Sequence, residues 1–135
     1  MMTTSAEHIP NLDVKLDHEK LDVYQLALRY CAWTQDLIDE LDKKNRYRGR
    51  HIKDHIDRAS LSILLNTAEG NGKRQKQTRS KFFDDARGSA TECSACLDSL
   101  VAIRCCPLGR VKEGKMMLLR IVSMLTKLVQ LFSSD

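Results

Sequence analysis

Three groups of residues in this sequence have the types and spacing for site chemistry. His51 and His55, in "HIKDH", stand four apart, so a helix would place both imidazoles on one face, a spacing that can chelate Zn²⁺. A site needs a third ligand, and the nearby Asp54 points off that face. These histidines are therefore expected to add positive charge in acid rather than to hold metal. Cys93-x-x-Cys96 and Cys105-Cys106 raise the question of a four-thiolate zinc site or a redox pair. Zinc ribbons present such pairs on tight knuckles and thioredoxin-like motifs follow a strand, whereas Cys93 and Cys96 lie in a helical pattern. Buried small hydrophobes are the expected role, with Cys105 and Cys106, beside a loop, the more reactive pair. Glu69, Glu92, Asp84 and Asp85 could suggest paired-carboxylate catalysis, but Glu69 and Glu92 are placed roughly 30 Å apart along a helical hairpin, too far to share a substrate. No Ser-His-Asp or Cys-His constellation is evident, so neither an enzyme nor a cofactor is expected.

The cations are more informative. Lys73, Arg74, Lys76, Arg79 and Lys81 crowd residues 73–81, and Lys43, Lys44, Arg46, Arg48 and Arg50 crowd "DKKNRYRGR" at 42–50. The net charge of +4 is unevenly spread: residues 1–42 carry −6, residues 43–82 carry +9 and residues 83–135 carry +1. A concentrated positive field attracts polyanions even when total charge is modest. "EGNGKRQKQT" lacks the P-loop spacing and no strand precedes it, so a nucleotide cradle is excluded. The tyrosines, phenylalanines and tryptophan mostly fall on apolar stripes, which leaves phosphate contact, not base stacking, as the expected mode.

Apolar spacing predicts four helices to position these groups. The first covers about Leu21–Leu41, with so wide an apolar face that a subunit contact is suggested besides the core. The second runs from about His51 to Glu69, with Gly70 expected as its left-handed C′ residue. Thr78 is the expected N-cap of the third, which ends at "CCPLGR", where Pro107 and Gly109 punctuate. The fourth covers about Val111–Phe132. Helices of this length with short loops make an all-α, antiparallel up-down-up-down four-helix bundle over residues 19–135, preceded by a flexible lead-in at 1–18.

Such a bundle gathers Lys43, Lys44, Arg46, Arg48, Arg50, Arg104, Arg110 and Lys112 at one end and Lys73, Arg74, Lys76, Arg79 and Lys81 at the other. With the second hairpin centred near residue 74, Arg58 should pair with Glu92, and Glu69 should lie level with Arg79 and Lys81. Gly88 and Ser89 should face Ser60 and Ser62, the small side chains allowing close approach. Only two prolines and six glycines fit a helical protein. No continuous apolar run long enough to span a bilayer is expected, nor a secretory signal. Five cysteines, an odd number, point to a reducing cytoplasm.

"RASLSILLNTAEGNGKRQKQTRSKFFDDARGSATE" at 58–92 resembles a bacterial family of small four-helix-bundle proteins. It includes the intervening-sequence protein encoded in some large-subunit ribosomal RNA genes and the accessory variability determinant of diversity-generating retroelements. The resemblance is carried by "NTAEG" at 66–70, "KFF" at 81–83, "ARGSATE" at 86–92 and "LDVYQLA" at 21–27, and it extends over about residues 18–132. Thr67 stands where isoleucine is usual, and a proline frequent before this element is absent. The resemblance implies a homopentameric ring and, for the retroelement branch, binding to RNA or DNA and to a reverse transcriptase. A protein-interaction scaffold without nucleic acid is the alternative expectation.

Overall fold

The computed structural model describes residues 16–133, so most of the expected lead-in lies outside the described residues. A short 3-10 helix over Asp17–Lys20 leads into four α-helices: α1 (Asp22–Lys44), α2 (Arg50–Gly72), α3 (Lys76–Ala102) and α4 (Leu108–Ser133). The fold is an all-α four-helix bundle. Each helix buries one stripe at three- and four-residue spacing, because only those positions share a helix face. Val23, Ala27, Tyr30, Leu37 and Leu41 from α1 meet Ile56 and Ile63 from α2, Phe83, Ala86, Ala90, Cys93 and Leu97 from α3, and Val111, Leu118, Ile121 and Leu125 from α4.

Contacts between helices set their register. His55 meets Glu92, Ser62 Oγ lies 2.8 Å from Ser89 Oγ, and Gly70 lies against Phe83, so partner numbers fall along α3 as they rise along α2. Between α3 and α4, Lys115 Nζ donates to Asp98 at 2.6 Å, Arg87 to Thr126 at 3.3 Å and Ser80 to the Val129 carbonyl at 3.2 Å. Between α1 and α4, Arg110 pairs with Glu40 and Gly114 lies against Trp33.

Several local expectations are corrected. Gly70 is no left-handed cap. It lies inside α2, which runs on to Gly72 before Lys73 turns extended. Its lack of a side chain matters for another reason: a Cβ there would stand 3.0 Å from the Phe83 ring and 3.1 Å from Phe82 Cβ. Gly88 allows no close approach, since a Cβ there meets nothing within 4 Å. The close approach belongs to Gly114, where a Cβ would fall 2.2 Å from the Trp33 ring. Thr78 is not the N-cap of α3; Gln75 holds that position, and Gly109 is helical, within α4. Thr67 fits the helix interior, fully buried, with its hydroxyl donating to the Ile63 carbonyl at 2.7 Å.

One turn at an end of the bundle departs from the glycine rule. Arg104 has φ of 64° and follows the last turn of α3. Its N–H donates to the Val101 carbonyl at 3.0 Å, and the Cys105 N–H to the Leu100 carbonyl at 2.9 Å. This pair of bonds is the Schellman arrangement, with arginine where glycine would sit without strain.

The most apolar helix is α4. An 18-residue window in it averages a hydropathy of 1.5, enough by length and composition to cross a membrane. The segment is not a continuous apolar run, because Arg120, Ser123, Thr126 and Lys127 interrupt it, but they do not lower its mean far. Only 17% of the window is buried, and Leu108, Met116, Leu119 and Leu131 are exposed.

Candidate nucleic-acid interface

The α1–α2 and α3–α4 loops meet at one end of the bundle. The Arg48 guanidinium donates to the Ile103 carbonyl, and a Cβ on Gly49 would stand 3.0 Å from Cys105 Sγ and 3.3 Å from Ile103 Cδ1. Gly49 also has φ of 68°, so this turn needs glycine on both counts. Under the loop lies Lys53, only 3% exposed. Its ammonium reaches Asp42 Oδ1 at 2.8 Å, the Asn45 carbonyl at 3.0 Å and the Arg46 carbonyl at 3.4 Å. Asn45 Oδ1 in turn accepts the Tyr47 and Arg48 N–H groups, each at 3.2 Å. A buried ammonium with three oxygen partners is compensated for its lost hydration, and here it ties two residues of the loop to the last turn of α1. Sequence reading missed Lys53. The signal is its place between Ile52 and Ile56 on an apolar stripe, where a lysine has to find oxygen.

Among the cations at this end, some are engaged. Arg110 Nε donates to Glu40 Oε2 at 2.7 Å, and its guanidinium lies 5.6 Å from the Trp33 ring centre. Arg50 approaches Asp54 at 3.7 Å. Lys43, Lys44, Arg46, Arg104 and Lys112 are exposed and have no ion-pair partner among the described residues. The acids Glu40, Asp42 and Asp54 each already face a cation, so the surplus charge here is positive.

The α2–α3 turn, at the far end, uses its cations differently. Lys73 pairs with Glu69 at 3.3 Å and lies 5.3 Å from the Phe82 ring centre, and Lys81 approaches the same ring at 5.9 Å. Arg79 lies 4.4 Å from the Phe132 ring centre and donates to the Lys73 carbonyl and to Asn71 Oδ1. Glu69 thus faces Lys73, just past the end of its own helix, rather than Arg79 and Lys81 across the turn. Arg74 and Lys76 are exposed, with no ion-pair partner among the described residues.

The expected Arg58–Glu92 pair is not formed. Glu92 Oε2 lies 2.9 Å from His55 Nε2, one turn earlier, and Arg58 is exposed. His51, His55, Glu92 and Cys96 line one shallow groove between α2 and α3, yet no group of three metal-ligating side chains is drawn together among the described residues. Glu69 stands fourteen residues beyond His55 on α2, so it is about 20 Å from Glu92 along the axis rather than 30 Å, still too far for joint catalysis.

Burial raises the thiol pKa values of Cys31, to about 12, and Cys93, to about 11. Cys96 and Cys106 shift the same way, again chiefly through burial. These thiols stay protonated at neutral pH and are poor nucleophiles. Tyr30 is likewise held neutral by burial.

One aromatic falls outside the apolar stripes on which the rings are mostly expected. Tyr47, between Arg46 and Arg48, is 79% exposed. The tripeptide Arg46-Tyr47-Arg48 was its signal, since no helical stripe passes through that loop.

No curated protein and no solved structure matches the chain at a significant level. A family model described as 23S rRNA-intervening sequence protein matches residues 19–127, which takes in all but the last few residues of the bundle. The chain belongs to the 23S rRNA-intervening sequence protein family.

Proposed function

We propose that this protein is an antiparallel up-down-up-down bundle that forms a ring-like homo-oligomer and binds RNA or DNA through the phosphate backbone, without catalysis, in the cytoplasm. The observation that carries the binding is the surplus of exposed cations with no ion-pair partner among the described residues where the α1–α2 and α3–α4 connections meet, Lys43, Lys44, Arg46, Arg104 and Lys112. Phosphates bind such groups by releasing condensed counterions, which needs charge and access but no base-specific contact. The fall of partner numbers along α3 as they rise along α2 supports the antiparallel order. The exposed apolar residues of α4 support the oligomer, because surface of that kind is usually covered by a partner. A ring would repeat the basic loops around its axis and multiply their field. The resemblance to the retroelement accessory determinant extends the proposal to a reverse transcriptase partner.

The test is binding to unrelated single- and double-stranded oligonucleotides across a salt series. Five phosphate contacts from one protomer predict a slope of about −3 to −5 in log K against log salt, equal for unrelated sequences. Absence of binding at low salt would refute the proposal and leave a protein-interaction scaffold.

A further inference from the structure

Neutralising phosphates does not require an aromatic ring, yet the loop that carries the surplus charge presents one. The Tyr47 ring has no aromatic or cation–π contact among the described residues. Its backbone, by contrast, is held on both sides. The N–H donates to Asn45 Oδ1 at 3.2 Å, and the carbonyl accepts from the Arg50 N–H at 3.3 Å. Lys53 anchors Asn45 and Arg46 from beneath, and Arg48 ties the loop to Ile103. The exposed ring therefore stands on a fixed turn, between two arginines.

We propose that this end of the bundle binds single-stranded nucleic acid, with Tyr47 stacking on an unpaired base while Arg46, Arg104, Lys43 and Lys44 meet the flanking phosphates. This inference rests on the nucleic-acid reading above and narrows it to one end and one class of strand. A base inside a duplex has both faces covered by its neighbours, whereas an unpaired base offers a π-face that any aromatic side chain can take. Stacking tolerates every base, so the surface stays indifferent to sequence.

The α2–α3 turn is a weaker candidate. The Phe82 ring lies beneath Lys73 and Lys81, and the Phe132 ring beneath Arg79, so rings and cations there are occupied with each other. Arg104 strengthens the case for the other end. Holding a non-glycine residue at positive φ is strained, and strain of that kind concentrates where a side chain has work beyond folding.

The experiment is fluorescence anisotropy with the full chain, using labelled oligothymidylate of about 20 nucleotides and a duplex of the same length, enough to span one stacking site and its flanking phosphates. Tyr47→Ala is expected to weaken single-strand binding by about 5- to 150-fold and leave duplex binding unchanged to within about twofold. Tyr47→Phe keeps the ring and should bind the single strand like the parent. Arg74→Gln/Lys76→Gln/Lys81→Gln, at the far end, should also bind like the parent. Unchanged single-strand binding by Tyr47→Ala overturns the inference, as does a loss confined to the triple variant or a duplex bound as tightly as the single strand. Polyglutamate of matched length bound as tightly as the oligothymidylate would indicate an acidic protein partner and overturn it too. Failure of the parent protein to bind either oligonucleotide removes the nucleic-acid reading itself, an outcome distinct from these.

Discussion

Both ends of the bundle gather cations but use them in opposite ways. At the α2–α3 turn, helices approach through apolar contact, Gly70 against Phe83, and the cations lie over the rings that remain at the rim. At the other end, polar ties hold the loops, and the cation that does most of this, Lys53, is buried beneath them. Arg48, Arg110 and Lys53 supply the connections, which leaves Arg46, Arg104, Lys43, Lys44 and Lys112 facing solvent. A cation on an aromatic face or in an ion pair has already found its counter-charge. Counting lysines and arginines along a chain cannot separate these cases; their partners can.

The contrast is sharpest at the glycines. Gly114→Ala places a methyl inside the Trp33 ring, whose atoms lie 2.2 and 2.3 Å from the new Cβ. Trp33 is buried, stacks on Tyr30 with ring centres 6.0 Å apart and lies beneath Arg110, so it has little room to retreat. Removing glycine from a helix interior gains about 1 kcal/mol, but overpacking costs about 1–3 kcal/mol and more where a rigid ring must move. A net loss of about 2 kcal/mol, read from urea unfolding, is the largest effect expected here. Gly70→Ala, where the contacts are 3.0 and 3.1 Å, should lose less, about 0–1 kcal/mol. A larger loss at Gly70 than at Gly114 would reverse this ranking and mean that the α2–α3 turn is the more tightly built end.

Lys53→Met is expected to come next. The side chain keeps its apolar stem but loses its bonds to two loop carbonyls, while the half-exposed Asp42 regains water. Leaving such groups without partners costs about 1–2 kcal/mol. The effect should be local: amide exchange in residues 45–49 should speed up while the α2–α3 turn keeps its protection. Equal loosening at both ends would show that Lys53 supports the whole bundle rather than this loop.

The helices and the gathering of basic residues at loops were legible in the sequence because periodicity and charge are properties of chain order. Side-chain partners were not. Gly70 was legible as a special position but not for its reason, because its contacts with Phe82 and Phe83 lie across the turn. Gly88 and Gly114 are equivalent as letters, and only helix packing shows that one faces open space and the other a tryptophan ring. His55, not Arg58, meets Glu92, a shift of one helical turn that a register estimated from the centre of a loop cannot resolve. Arg104 was legible as a cation beside a loop, but its positive φ was hidden because Gly109, further on, carried the sequence signal for the turn.

Arg104 also gives the smallest and most diagnostic prediction, because stability and binding should move in opposite directions. Its αL conformation is strained for any residue with a Cβ, and glycine relieves that strain while adding freedom to the unfolded chain. The two effects partly offset, so Arg104→Gly should stabilise the fold by about 0.5–1 kcal/mol, seen as a raised urea midpoint with an unchanged slope. The same change removes one of the exposed cations, so single-strand affinity should fall and the salt slope should shrink by about 0.7. Arg104→Ala separates the two contributions: it keeps the strain and loses the charge, so affinity should fall with no gain in stability. If Arg104→Gly gains stability and loses no affinity, the cations at this end are not the ones that meet phosphate. The contrast between the two ends would then hold for their packing alone.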